Sequence, residues 1–294
     1  MLGAEVTFDV ALPKIVWGWL VSTNMWAKSI ATGSFMLALI ATKTYQDNRA
    51  FFKISGVLLA LVFIAITLLV TVLDLHHMFR FWHIFFYPHF TSAVTLGAWV
   101  VSAFVVLLLI AFWALISQNE KLWNRIFVPG LVLGFFSTIY TAGIMGEATA
   151  REVWVFPAEM IAMLLSAAIA GSAAFLAIDG LMGGMLKENI RKHLSYILMV
   201  SSGLYGAMFI GEILFAKMHS EFAHHVIRQL ITGEVAIYFW IGFALTFIVP
   251  VVLAGVSIQT KKYTYSLFGA LSALVGLWFV KHAWLLAPQT LPLS

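Results

Sequence analysis

Eight apolar runs, each long enough to cross a lipid bilayer, occupy most of this 294-residue chain. A transmembrane helix needs about 20 apolar residues, and backbone groups in lipid must be satisfied within the segment, so we expect each run to be a helix. Only 10% of the residues are charged, against about 25% in a soluble domain. The chain is therefore predicted to be an all-α polytopic membrane protein of eight transmembrane helices. The predicted spans are roughly 15–42, 51–75, 90–117, 124–146, 155–181, 190–217, 230–258 and 264–285.

The connections between these runs are too short to hold a water-soluble domain. Residues 1–294 are therefore predicted to form a single integral membrane domain. We expect two four-helix bundles within it, residues 1–150 and residues 151–294. The N-terminus has no basic region typical of a signal peptide, so the first run is predicted to be retained as a span.

Lysine and arginine predict the orientation of the chain. Ten of them lie in the connections after runs 1, 3, 5 and 7, and six lie on the other side, with Lys28 inside a run. Cytoplasmic loops carry the excess of positive charge, so both termini are predicted to be non-cytoplasmic. The histidines have the opposite distribution, because only His193 falls on the predicted cytoplasmic side. The outer side therefore collects groups that titrate near neutral pH.

Titratable side chains are most concentrated between the second and third runs. Carboxylates also fall near the predicted outer ends of other runs. This placement favours proton-coupled chemistry at the outer membrane surface. The residues are Asp74, His76, His77, Arg80, His83 and His89 in the connection, and Glu147, Glu159, Glu212 and Glu234 at the other ends.

Three polar residues lie deeper within the runs. Asn24 and Lys28 are one helical turn apart and share a face, and Tyr140 lies about two turns inside the fourth run. A lysine in lipid is costly unless it is paired or hydrated, so Lys28 is predicted to face the bundle interior. A quinol, which is apolar with two polar oxygens, needs hydrogen-bond partners and nearby proton acceptors. These residues therefore favour a quinone site.

Two other functions fit parts of this pattern. Lys28, Glu159 and Glu212 could form the relay of a proton-coupled transporter. Alternatively, the pairs His76/His77 and His224/His225 could hold a haem b, although no run has a histidine near its centre. The chain has no cysteine, so it has no thiolate metal site and no iron–sulfur cluster of its own, and we predict no metal site. The net charge of +4 fits loop charges that set topology, and no nucleic-acid partner is expected.

One spacing pattern is specific enough to suggest a family. The pattern D-L-x4-R-F-x2-I-x3-P-x3-S-x4-G-A runs from Asp74 to Ala98. Together with Trp17–Trp19, Tyr140–Gly143, Gly146–Ala148 and Arg151–Trp154, it resembles the NrfD/polysulfide-reductase family of membrane subunits. The resemblance covers about residues 13–180, and the later spans match in hydropathy alone.

The resemblance implies a cofactor-free subunit that binds menaquinone or ubiquinone in its first four-helix bundle. It also implies a bacterial or archaeal cytoplasmic (inner) membrane, a ferredoxin-like iron–sulfur partner and a molybdopterin-type catalytic subunit. Asn24 and Tyr140 resemble the family's quinone-site residues. Some relatives have a histidine in the first helix, and here Lys28 occupies the neighbouring turn instead.

The sequence thus predicts a quinone-binding membrane-anchor subunit of a respiratory oxidoreductase complex. It exchanges electrons with an iron–sulfur partner, because the chain has no obvious electron carrier, and it takes up or releases protons. The quinone-binding residues are predicted to be Asn24, Lys28, Tyr140, Asp74 and His77. Proton transfer is assigned to Asp74, His76, His77 and Glu147, and partner docking to Arg80, His83, His89 and Arg151.

Overall fold

The computed structural model describes residues 15–75 and 77–291, and it contains eight long apolar helices, α1 to α8. Within those residues there is no β-strand, so the predicted all-α polytopic fold is confirmed. The predicted spans agree with the observed helices to within a few residues at most ends. The helices are Trp19–Thr44 (α1), Arg49–Asp74 (α2), Ala93–Ile116 (α3), Phe127–Glu147 (α4), Phe156–Leu181 (α5), Glu188–His219 (α6), Ala236–Thr260 (α7) and Tyr263–Leu286 (α8).

The start of α7 differs from its prediction. The seventh run was expected to begin at residue 230, but residues Glu221–Thr232 form a separate amphipathic helix, and α7 begins only at Ala236. The Ser220 hydroxyl caps this helix by accepting from the Ala223 amide at 3.0 Å. Its buried residues recur every three or four positions, so one face packs on the bundle while the other is polar. They are Ala223, Val226, Ile227 and Leu230.

Small residues allow α1 and α5 to cross closely at the centre of the molecule. Gly33 of α1 packs directly against the backbone of Ala167 and Gly171 in α5. A side chain at either glycine would overlap the other helix, so only glycine permits this approach. α1 also packs on α2, α4 and α8, and α5 packs on α4, α6 and α8. The two halves of the chain therefore share an interface, and the predicted division at residue 150 stays a prediction.

The two ends of the helix bundle differ in charge. We call the end where α1 begins and α2 ends the histidine-rich end, because it carries His77, His83 and His89. At the opposite, lysine-rich end, Arg191 Nε lies 2.7 Å from the Asp179 carboxylate, and both side chains are buried. Asp179 also accepts from the Leu186 amide at 2.6 Å. These contacts close the turn between α5 and α6.

A second ionic cluster at the lysine-rich end joins the start of α2 to the short helix Glu120–Arg125. Glu120 pairs with Lys53, which is buried, and with Arg49 at 2.7 Å. The hydrogen bond from the Lys53 ammonium has the largest effect and lowers the pKa of the Glu120 carboxyl. Burial has the next largest effect and raises that pKa, while the charges of Lys53 and Arg49 lower it, so the pKa is lowered on balance.

Replacing Glu120 with glutamine is expected to lower stability modestly at neutral pH. The side chain of Glu120 is 55% exposed, so water screens the pairs and the loss should be no more than about 1 kcal/mol. A carboxyl with a depressed pKa stabilises the fold above its unfolded-state pKa, and this contribution disappears as the pH falls through the folded-state pKa. The thermal unfolding midpoints of E120Q and the unmodified chain should therefore converge in acid. The exposed Glu152→Gln is the control, and a difference that persists in acid would contradict this account.

Candidate functional site

A cleft of about 200 Å³ lies between α1, α2 and α4, and it extends to the histidine-rich end of the bundle. Its walls are mostly apolar, and the polar groups on them come from all three helices. α3 and α8 contribute one apolar residue each. The lining residues are Trp17, Leu20, Val21, Asn24, Met25, Val70, Thr71, Asp74, Val94, Tyr140, Thr141, Ile144, Met145 and Leu285.

Asn24 is held in this cleft by α2. Its amide nitrogen donates to the Thr67 carbonyl oxygen at 3.2 Å and to the Thr71 hydroxyl at 2.6 Å. A side-chain amide has two N–H donors and a carbonyl acceptor, so these bonds use both donors. Toward a ligand, Asn24 can therefore act only through its oxygen, as an acceptor. It can accept from a hydroxyl group but cannot donate to a carbonyl.

Tyr140 forms another wall of the cleft, and its position depends on Gly97. A Cβ atom at Gly97 would overlap the Tyr140 ring, so the glycine of the Gly97-Ala98 motif makes room for the tyrosine. Two residues of the D-L…G-A pattern thus shape the cleft, because Asp74 at the end of α2 lines it and Gly97 in α3 packs against Tyr140. This packing gives a physical reason for glycine at position 97.

Lys28 lies directly behind the cleft wall rather than on it. Its side chain is 1% exposed, its Nζ lies 3.8 Å from the centroid of the Tyr140 ring, and it donates to the Thr141 hydroxyl. Within residues 15–75 and 77–291, no carboxylate lies at ion-pair distance from it. The prediction that Lys28 faces the interior is therefore met, while its direct contact with a quinone stays a prediction. The structure interposes Tyr140 and Thr141.

The mouth of the cleft is braced by aromatic and backbone contacts. Trp17 stacks on Trp154, with ring centroids 5.2 Å apart. The Gln289 side-chain oxygen accepts from the backbone amides of Val16 and Trp17 at 2.8 and 2.9 Å. These bonds hold the chain entering α1 against the end of α8, so Trp17 forms a fixed edge of the cleft.

Two other predicted proton-transfer residues, Glu147 and His77, lie away from the lining. Glu147 is exposed, and its carboxylate accepts from the Ala93 amide at 2.6 Å, which fixes the start of α3 to the end of α4. His77 is exposed just beyond α2 and is not among the lining residues. His76 lies outside the residues that the structure describes. Proton transfer by these three stays a prediction.

Three of the four predicted docking residues share an exposed surface, and the fourth does not. Arg80, His83 and His89 are exposed on the connection between α2 and α3. Large aromatic side chains lie beside them, including Phe79, Phe81, Trp82, Phe86, Tyr87 and Phe90. We call residues 77–90 the aromatic loop.

Arg151 differs from these residues, because it is buried and donates to the carbonyl oxygens of Pro288 and Leu291, the latter at 3.0 Å. Its guanidinium thus holds the segment after α8 and is absent from the exposed surface. Its docking role stays a prediction.

Lys281 was counted with the charges of the outer side, although the predicted eighth span, 264–285, contains it, and its burial was not predicted. It lies inside α8, is 2% exposed and is close to Glu159 and Met163 of α5. The rule that singled out Lys28, an ionisable residue within an apolar run, would have found it. Thr141 carries no such signal, because hydroxyl residues are common in transmembrane helices. In the part of the chain that the structure describes, no cluster of three or more His, Cys, Asp or Glu residues could hold a metal ion.

Eight long apolar helices and a largely apolar cleft at one end of the bundle define a polytopic membrane protein. The chain belongs to the NrfD polysulphide reductase family, whose model matches residues 10–292. The family resemblance predicted from the sequence is confirmed, and it extends through the C-terminal spans, beyond the region that the motifs covered.

Two relatives illustrate this similarity. A selenate reductase subunit from Mesobacillus selenatarsenatis is 24% identical over 318 residues, covering 92% of this chain and 72% of its own length. A protein NrfD homolog of Haemophilus influenzae is 24% identical over 277 residues, covering 91% of this chain and 79% of its own. The family and the names of these relatives support a role as a membrane subunit of an oxidoreductase complex.

Proposed function

We propose that this chain exchanges electrons between the membrane quinone pool and a partner subunit of an oxidoreductase complex, with the quinone headgroup in the cleft between α1, α2 and α4. The observation that carries the proposal is the meeting of Asn24, Asp74 and Tyr140 on the otherwise apolar walls of one cleft. At about 200 Å³, the cleft is smaller than the roughly 300–1,000 Å³ of sites that enclose a drug-sized ligand. It suits a single ring system whose long apolar tail stays in the lipid.

The side chains of the cleft fit the polar groups of a quinol. A bound quinol supplies two electrons and two protons when it is oxidised. The Asn24 oxygen accepts a hydrogen bond from one hydroxyl, because both N–H donors of Asn24 are held by α2. The Tyr140 hydroxyl can donate to or accept from the other oxygen. Asp74 is the carboxylate on the cleft wall suited to accepting a proton.

The electrons require a second subunit. The chain has no cysteine and therefore cannot bind an iron–sulfur cluster through thiolates. We propose a ferredoxin-like iron–sulfur subunit docked on the aromatic loop, close to the cleft, and a molybdopterin-type catalytic subunit beyond it. The name of the Mesobacillus relative, a subunit of selenate reductase, supports a multi-subunit complex.

The orientation follows from the charges at the two ends. Lys43, Arg49, Lys121 and Arg125 lie at the lysine-rich end, which we place in the cytoplasm. The histidine-rich end and the cleft mouth then open on the outer side of a bacterial or archaeal cytoplasmic membrane. The start of α1 and the end of α8 then face that outer side, so we propose that both termini are non-cytoplasmic.

Replacing Asn24 with alanine is expected to weaken quinone binding about tenfold, since the variant loses an acceptor for the ligand hydroxyl and releases its bonds to α2. The measurement titrates the purified full chain with menadiol under reducing conditions and with menadione in air, following tryptophan fluorescence, to which Trp17 at the cleft edge contributes. The effect should be larger for menadiol, because the Asn24 oxygen can only accept.

The matched control is Asn124→Ala, at the lysine-rich end, which should bind both probes like the unmodified chain. No saturable quenching of the unmodified chain would refute the proposed site. A Soret band in its absorption spectrum would instead support a haem-b carrier.

A further inference from the structure

A second group of buried ionisable residues lies where α5, α6 and α8 meet, apart from the cleft walls. Glu159, in the first turn of α5, is 3% exposed. Its carboxylate accepts from the Trp284 indole N–H at 2.6 Å. A carboxyl buried this deeply is costly unless it is hydrogen-bonded, paired or protonated. One hydrogen bond from an indole does not offset the free-energy cost of burying a charged carboxylate. The burial of Glu159 is therefore not explained by its contact with Trp284 alone.

Lys281 lies one helical turn deeper than Glu159. Its Nζ lies 3.5 Å from the sulfur of Met163, which is four residues after Glu159 on α5, and Lys281 is three residues before Trp284 on α8. The two helices run in opposite directions, so these two contacts stack the ammonium below the carboxylate. The two charges interact.

Lys28 approaches Lys281 from the other side. The Ser22 hydroxyl lies 2.9 Å from His282 Nδ1, which sets α1 against α8 near the histidine-rich end. Side chains tilt toward the N-terminus of their own helix, so Lys28 on α1 extends toward that end and Lys281 on the oppositely directed α8 extends away from it. The two side chains therefore extend toward each other along the interface of α1 and α8. Lys28 in turn contacts Tyr140 and Thr141 of the cleft wall.

A second cavity lies beside Glu159, on the side of this ionisable group away from Lys28. This cavity of about 30 Å³ is lined by Glu159, Tyr205, Trp284 and Glu212, among others. Glu212 belongs to α6 and is partly exposed near the histidine-rich end. A series of ionisable side chains therefore leads from behind the cleft wall, through the interface of α1, α5 and α8, to a second position near the histidine-rich end. The series consists of Lys28, Lys281, Glu159 and Glu212.

We propose that Lys281 and Glu159 carry a proton from Lys28, behind the quinone cleft, to Glu212 at the histidine-rich end. The proposal rests on the proposed quinone function. When a quinol is oxidised, both of its O–H bonds break and its two electrons pass to the iron–sulfur partner. One proton leaves by way of Asp74 at the cleft wall.

The second proton passes by way of the Thr141 hydroxyl, which lines the cleft and accepts from Lys28, to Lys28, Lys281, Glu159 and Glu212. Each group gives up one proton as it gains one, so no charge accumulates in the apolar interior. Tyr205 and Trp284 also face Glu159 but do not change their protonation.

The test uses Glu159→Gln, which retains an acceptor for Trp284, and Lys281→Met, which retains the apolar length of the side chain. The isolated complex is mixed with menadiol, and reduction of the iron–sulfur clusters is followed by stopped-flow absorbance between pH 6 and 9. Both variants should bind menadiol normally in the fluorescence titration, yet reduce the clusters about tenfold more slowly, with a flattened pH profile. Glu234→Gln, an exposed carboxylate near the start of α7, is the control and should match the unmodified complex.

The outcomes separate this inference from the proposed function. Normal rates and an unaltered pH profile in both variants would overturn the proton route while leaving the quinone site intact. Failure of the unmodified chain to bind menadiol would refute the quinone site itself. If neither variant folds, infrared difference spectra of the unmodified complex during menadiol oxidation decide, because turnover without a transient change in a protonated-carboxyl band would overturn the route.

Discussion

Replacing Gly33 with alanine is expected to destabilise the helix bundle strongly and to lower its thermal unfolding midpoint. A Cβ atom at this position would overlap the Ala167 carbonyl oxygen, and it would lie 2.8 Å from the Ala167 carbonyl carbon and 3.1 Å from the Gly171 amide nitrogen. All three are backbone atoms, so no side chain can rotate away to relieve the overlap. Overpacking a well-packed interior costs about 1–3 kcal/mol, and an overlap with backbone belongs at the upper end of that range.

The measurement is the thermal unfolding midpoint of the purified chain in detergent. The control is Gly203→Ala, because a Cβ atom at Gly203 on α6 would meet nothing within 4 Å. Alanine also has the higher helix propensity, by about 1 kcal/mol, so G203A should unfold at the same temperature or slightly above. If G33A unfolded at the temperature of G203A, the close crossing of α1 and α5 would not be what holds the two halves together.

The second large effect is expected at Lys28. Lys28→Met should slow reduction of the iron–sulfur clusters by menadiol about 100-fold, within the range by which a positioned acid or base accelerates a reaction. The substitution removes the cation from the Tyr140 ring and the donor from the Thr141 hydroxyl. Methionine has a similar apolar length, and removing a buried charge that has no carboxylate partner among the described residues avoids a desolvation cost. The chain should therefore assemble, and its unfolding midpoint should be unchanged or raised.

Two further measurements make this result specific. Lys192→Met removes an exposed lysine at the lysine-rich end and should leave the rate unchanged. Binding of menadiol by K28M should be retained, because Tyr140 and Thr141 stand between Lys28 and the cleft. A K28M complex that reduces its clusters at the normal rate would remove Lys28 from the site.

The eight spans could be predicted because a backbone in lipid must satisfy its hydrogen bonds within the segment, and a run of apolar residues does so as an α-helix. The motif from Asp74 to Ala98 also indicated its region correctly, since Asp74 lines the cleft and Gly97 makes room for Tyr140. Hydropathy failed at Glu221–Thr232, where an amphipathic helix and the start of α7 follow each other closely enough to merge in one apolar profile.

The roles of single polar residues could be predicted only in part. Asn24 and Tyr140 line the same cleft, while their contact with a quinone stays a prediction. Arg151, which was assigned to partner docking, is buried against the segment after α8, and Lys281, which was counted only as a charge of the outer side, is buried within the bundle. Each of these outcomes depends on the direction in which a helix turns its faces, and a nearly uniform apolar sequence does not specify that direction.

The sequence by itself determined the membrane class, the eight helices, the family and the contrast between a lysine-rich and a histidine-rich end, because these follow from composition, length and local pattern. Only the tertiary structure decided which polar groups meet. The contact of Lys28 with Thr141 joins residues 113 positions apart, and that of Trp284 with Glu159 joins residues 125 apart. Such contacts exist because Gly33 and Gly171 bring α1 and α5 together at the centre of the bundle, and backbone packing at that distance is a property of the folded chain.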